Sequence, residues 1–198
     1  VYERARAEAR EELWKFGQYR DMEMRIYLML IEVAREKKAS EEIIANLRVF
    51  AREAYENYWK QRLENSTVYP EALAAIEAIK KAGYHLVIFS ERRDTEAIDL
   101  MRKKIQTSDG QEKALGDFFD AVIVTNDLVS ESLSPVPVVR LCLPKEREAY
   151  ELIKAHLEPR MMIGNSRRHD VHPAREAGIA AFRVKEGRGF DEAIRFLA

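Results

Sequence analysis

"MMIGNSRRHDVHPAREAGIAAFRV", residues 161–184, passes from a short apolar run through a polar loop into an Ala-rich segment, then Gly178 and a second apolar run. Two apolar runs of strand length separated by a helical stretch that ends on Gly are the pattern of parallel strands joined by a crossover helix. The same pattern extends back to about residue 67. "YHLVIFS", "DAVIVTN", "VPVVRLCL", "RMMIGN" and "AAFRV" alternate with helical segments at 71–82 (ended by Gly83), 95–104, 146–157 and 172–177. Strands and helices in alternation predict an α/β domain, doubly wound around a mostly parallel, Rossmann-like sheet. The stretches "QTSDGQEKALG" and "DLVSESLSPVP" are the least regular and are expected as surface loops.

Upstream the pattern differs. Residues 2–64 contain no Pro and one Gly, Gly17, and their apolar residues recur at three and four. Leu13, Phe16 and Tyr19, then Met24, Tyr27, Leu28 and Ile31, then Ile43, Ile44, Leu47, Phe50, Ala51, Ala54, Tyr55 and Tyr58 have helical spacing. Ser40 before Glu41 and Glu42 reads as an N-cap with acids in the first turn, so a helix is expected from there to about Leu63. The chain thus divides into an all-helical subdomain, 1–66, and an α/β core, 67–198.

Composition narrows the function. Of 198 residues, 33 are Lys or Arg and 34 Asp or Glu, so there is no basic field to hold a nucleic-acid backbone. The single Cys142 is expected as a buried small hydrophobe. No apolar run approaches the length of a membrane span and "VYERARAEAR" is charged where a signal peptide is apolar, so a cytoplasmic protein is expected, with no membrane partner. Nothing in the sequence marks an oligomeric state.

In an open parallel sheet, ligands bind outside the carboxyl ends of the strands. The residues placed there are Ser90, Glu91 and Arg92, then Asn126 and Asp127, Lys145, and the loop Gly164–Asp170. A hydroxyl, an ammonium and a loop carboxylate suit phosphoryl chemistry: the first donates to phosphate oxygens, the second offsets their charge, the third anchors a cation.

These segments resemble the haloacid dehalogenase-like (HAD) hydrolases, most of which are magnesium-dependent phosphatases. "VYPEALAAIEAIKKAGYHLVIFS" resembles the run into their second motif, which makes Ser90, with Glu91 beside it, the phosphate-binding end. "LGDFFDAVIVTND" resembles the following strand and its approach. "PKEREAYELIKAHL" is similar to the third motif, whose lysine is Lys145. "MMIGNSRRHDVHPAREAGIAAFRV" is similar to the fourth, a Gly-Asp pair with a second Asp five residues after the first. The resemblance covers residues 67–185 and implies that residues 1–66 are a helical cap. It also implies catalytic and phosphate roles for Ser90 and Lys145, magnesium (Mg2+) at Asn165 and Asp170, and a small phosphorylated metabolite as substrate.

The sequence departs from that pattern twice. Asn165 stands where the first acid of the fourth motif is expected, and it offers magnesium a neutral carbonyl oxygen. The first motif, an Asp-x-Asp that supplies the nucleophile and the acid, does not occur. Two readings follow: either the nucleophile lies upstream of Val1 in a longer protein, or the chain is a non-catalytic relative that serves as a binding or scaffolding module. Haloacid dehalogenation is a third possibility, needing the same upstream Asp but no metal.

Each residue also has a structural reading. Ser90 can simply end a strand, Lys145 can sit solvated at a helix start, and Asp170 can cap the helix that carries Pro173, Ala174 and Ala177. Arg167 and Arg168 suit either a solvated loop or an anionic substrate. His169, Asp170 and His172 lie too close together in sequence to converge readily on one zinc ion. No nucleotide-binding Gly-rich pattern occurs. Trp14, Met22, Trp59 and their aromatic neighbours are expected as the helical subdomain's own core.

Overall fold

A computed structural model of the chain describes residues 22–125, 134–141, 143–186 and 188–197. The apolar series at 13–19, Asn126, Asp127 and Cys142 lie outside the described residues. The chain divides into two compact units, Val1–Ser66 and Thr67–Ala198.

In the first unit, helices α1 (Met22–Glu36) and α2 (Glu41–Asn65) pack on each other across a short turn. Ser40 is the N-cap of α2, its side chain accepting from the Ile43 amide at 3.4 Å, as the run of acids after it predicts. Leu47, Ala51, Tyr55 and Trp59, spaced by four, form the buried stripe of α2. No helix of the described residues is long and apolar enough to cross a membrane.

The second unit mixes helices with parallel strands. It runs α3 (Pro70–Lys81), β1 (Val87–Ser90), α4 (Asp94–Arg102), β2 (Lys104–Gln106), β3 (Glu112–Ala114), β4 (Ala121–Val124) and β5 (Val138–Arg140). There follow α5 (Arg147–Leu157), β6 (Met162–Gly164), a five-residue π-type turn (Arg167–Val171), α6 (His172–Glu176), β7 (Ala181–Arg183) and α7 (Phe190–Leu197). Strands β1, β4 and β5 form one parallel sheet in that order, with Ser90 opposite Val124; β6 and β7 form a second parallel pair. The alternating sequence therefore produces parallel pairing, but in two pieces among the described residues.

Two further elements correct the sequence expectations. "QTSDGQEKALG" is not wholly irregular: β2 and β3 pair as an antiparallel hairpin around Thr107–Gln111, and a 3-10 turn follows at Leu115–Phe118. Gly110, at φ 80°, closes that turn by donating to the Thr107 carbonyl at 2.9 Å, a backbone shape that glycine adopts without strain. Helix α7 lies beyond the segments marked by the alternation; Phe190, Ala193, Ile194 and Leu197 give it an apolar stripe.

Strand β1 is packed on both faces. Ile88 lies against the cluster of Ala97, Met101, Val122, Val124 and Val136, while Phe89 lies against Tyr150, Val171, Ala174, Ala177, Ile179 and Ala181. Successive strand residues point to opposite faces, and Ile88 and Phe89 are both apolar because both faces are covered there, whereas Val87 at the strand's start is exposed.

Asp120 pins the entry of β4 to the end of α3. Its carboxylate accepts from the Leu86 amide at 2.7 Å and from Lys80 at 3.0 Å, with His85 Nδ1 at 3.3 Å. Partial burial pushes its pKa up, but the Leu86 amide, Lys80 and His85 outweigh that and bring it down from 3.8 to about 2. A folded pKa below the unfolded one stabilises the fold above about pH 4, and that contribution is lost as the pH falls from about 4 toward 2. Asp120→Ala is expected to lower stability by about 1 kcal/mol at pH 7 and by much less at pH 2.5, read from urea unfolding at the two pH values.

Candidate functional site

The loop that leaves β6 is shaped by its own side chains. Ser166 accepts the His169 amide on Oγ at 3.1 Å, and its carbonyl accepts the amides of Asp170 at 3.0 Å and Val171 at 3.1 Å. Ser166 is thus the N-cap of the π-type turn, and α6, which follows with Val171 at its N-cap position, has no side-chain cap, which corrects the capping role that the sequence offers for Asp170. The π-type turn accommodates one more residue per turn than an α-helix, and such turns recur at functional sites. Within it Asp170 is 6% exposed, while Arg167 and Arg168 face solvent.

Asp170 is held from two sides. Its Oδ2 accepts from the Ser166 amide at 2.8 Å, and its Oδ1 accepts from Lys145 Nζ at 2.5 Å. Gly164 makes the space, because a Cβ there would overlap Asp170 Cβ. Lys145, 7% exposed, donates also to the Phe89 carbonyl at 3.0 Å, and its ammonium lies 5.0 Å from the centre of the Phe89 ring. Lys145 is therefore not the solvated residue that its place before a helix allows.

Ser90 follows Phe89 at the end of β1. Its Oγ accepts from the Arg92 amide at 3.1 Å, a turn bond that leaves the hydroxyl proton available to a ligand. Glu91 is half-buried, and its charge acts on the phenol of Tyr150. Lys145 and Asp170 thus meet directly, one residue from Ser90. Asn165 stands apart from that contact: it is exposed, and its backbone carbonyl accepts from Arg183 Nε at 3.3 Å.

Tyr150, which the sequence does not mark, is 1% exposed on α5 and donates from its hydroxyl to the His169 carbonyl at 2.9 Å. Its ring meets that of Phe89 edge-on, with centroids 5.2 Å apart. Burial, then the charges of Asp170 and Glu91, raise its pKa, so it stays a neutral donor. The signal for it was its place five residues after Lys145 on a helix over the same loop.

The described donors do not by themselves fit magnesium. No group of three His, Cys, Asp or Glu side chains able to hold a metal occurs among the described residues. Both oxygens of Asp170 already accept, and an ammonium at 2.5 Å supplies the positive charge that a cation would bring.

Over 137 residues the chain is 26% identical to a phosphoglycolate phosphatase of Neisseria gonorrhoeae (strain ATCC 700825 / FA 1090). The match covers 69% of this chain and 50% of that protein, so the chain spans about half the length of the curated relative it matches. No family model matches the chain, and no solved structure matches it. This partial likeness agrees with the HAD-like resemblance of the motifs.

The Lys145–Asp170 pair lends itself to a double-mutant test. Asp170→Asn leaves a buried ammonium without its counter-charge and is expected to cost about 3 kcal/mol. Adding Lys145→Met, which removes that charge, should recover more than half of the loss, with urea unfolding as the measurement.

Proposed function

We propose that the chain belongs to a HAD-like phosphohydrolase that acts on a small phosphorylated metabolite in the cytoplasm, with residues 1–66 as its cap. The observation that carries this reading is the buried Lys145 ammonium, held by Asp170 and the Phe89 carbonyl beside Ser90, where parallel strands end. A cation fixed in place before the substrate arrives stabilises charge that develops in a transition state without reorganising.

In this proposal Ser90 donates its hydroxyl proton to one phosphate oxygen, and Lys145 balances the charge of the others. Asp170 keeps Lys145 aimed. The nucleophile is an Asp from outside residues 1–198, attacking phosphorus to form an aspartyl phosphate. Magnesium, which the resemblance implies, needs ligands beyond Asp170 and Asn165, and that same Asp-x-Asp segment would supply them. Glu91, half-buried beside Ser90, would bind phosphate through its backbone amide rather than its carboxylate, since like charges repel.

The neutral Asn165 and the charge-matched Asp170 favour a second reading without metal: a non-catalytic binding module, or a dehalogenase using the same outside Asp. Assays of the full-length gene product separate the three. We expect phosphate release from phosphoglycolate, the ester in the relative's name, and from p-nitrophenyl phosphate, dependent on magnesium. Lys145→Met should lower kcat/KM by about a hundredfold or more, and Ser90→Ala by roughly tenfold. Chloride release from a 2-chloro acid without metal would favour the dehalogenase, and release of neither product would leave the binding module.

A further inference from the structure

The hydroxyl of Tyr150 has no part in the proposed chemistry, yet it is placed with care. A phenylalanine would fill the same space between Phe89, Val171 and Ala174; the phenol oxygen adds a polar atom that must be bonded when buried. Its bond goes to the carbonyl of His169, the residue before Asp170.

Two ties therefore join the same two segments. Lys145 reaches from just before α5 to Asp170, and Tyr150 reaches from the second turn of α5 to His169. The bonds that Ser166 makes to His169 and Asp170 set the internal shape of the loop, because both ends lie within it. They do not set its distance from α5. Tyr150 does so together with Lys145, and its ring is seated on Phe89, whose carbonyl receives the other bond from Lys145.

We infer that Tyr150 is a positioning residue: by holding the His169 carbonyl it fixes the loop so that Asp170 meets Lys145 and the ammonium faces a bound phosphate. The last clause rests on the phosphatase reading; the tether itself does not.

Tyr150→Phe in the full chain is the test, because it keeps the ring and removes only the donor. The first measurement is the side-chain ammonium resonance of Lys145 in a 15N-labelled sample, assigned by its loss in Lys145→Arg. A buried, bonded ammonium exchanges slowly and is visible, and in Tyr150→Phe its signal should shift and broaden. A fold that is merely less stable would leave that signal in place at low temperature. The second measurement is the affinity for inorganic phosphate, expected to fall about tenfold, the worth of one well-placed hydrogen bond. Should the variant be only marginally folded, trimethylamine N-oxide restores the folded population for both measurements.

An unchanged ammonium resonance overturns the inference. A changed resonance with phosphate affinity intact reduces Tyr150 to a structural role and overturns it as well. If the unaltered protein binds no phosphate, the phosphatase reading falls, and the resonance alone decides the tether.

Discussion

Lys145 and Asp170 are both more than nine-tenths buried and in direct contact, and most of the architecture around them follows from what that requires. Removing an ammonium and a carboxylate from water costs several kcal/mol each, and their attraction offsets this only when the remaining donors and acceptors are also matched. Lys145 meets the condition through the Phe89 carbonyl, Asp170 through the Ser166 amide. The Asp170 contact requires that β6 end on a residue without a side chain, which is why Gly164 stands where Asp170 folds back. The π-type turn belongs to the same set of constraints, since Asp170 comes within it and turns inward while Arg167 and Arg168 turn out.

The pair also connects parts of the second unit that backbone pairing leaves separate. Strand β1 belongs to the three-stranded sheet and β6 to the two-stranded one, and among the described residues no ladder joins them. Side chains do: Phe89 of β1 packs into the cluster around Tyr150 and Ala174, and Lys145 bonds at once to the backbone of β1 and to the loop after β6. Local stability of the site should therefore depend on side-chain contacts that unfold together rather than on a continuous ladder.

Much of this was legible in the sequence, for reasons that also mark where legibility ended. The runs "HLVIFS" and "RMMIGN" showed their strands because both faces of a parallel strand are covered, and the residues after them are necessarily at the carboxyl ends. Ser40 and the acids after it declared the start of α2 because capping is local chemistry. The hairpin β2–β3 was hidden because three-residue strands carrying Lys, Gln and Glu have no apolar alternation to read. Tyr150 was hidden for a different reason. An aromatic residue on a helix reads as core by its spacing, and nothing in the spacing reports that its hydroxyl finds a carbonyl nineteen residues away. Asp170 could be placed but not assigned, because a carboxylate near a helix start serves a cap, a metal or a lysine equally well, and only the three-dimensional partner decides.

That partner bears on the charge of the site as a whole. A phosphate ester brings about two negative charges, and a site that receives it must supply positive charge that its own carboxylates do not already neutralise. In the described residues Asp170 offsets Lys145, so that pair by itself brings no net positive charge to a bound anion. Asn165 is consequential in that balance: an acid there would add a negative charge and call for a divalent ion, whereas an amide leaves the balance neutral. The substitution therefore lowers the affinity for a metal and the repulsion of an anion together, and the two effects oppose each other in any metal-assisted reaction. A magnesium-dependent enzyme built on this chain must restore the missing negative charge from acids outside the described residues. A metal-free binding site needs no such acids, but it must set the Lys145 ammonium and the Ser90 hydroxyl against two carboxylates, Asp170 and Glu91.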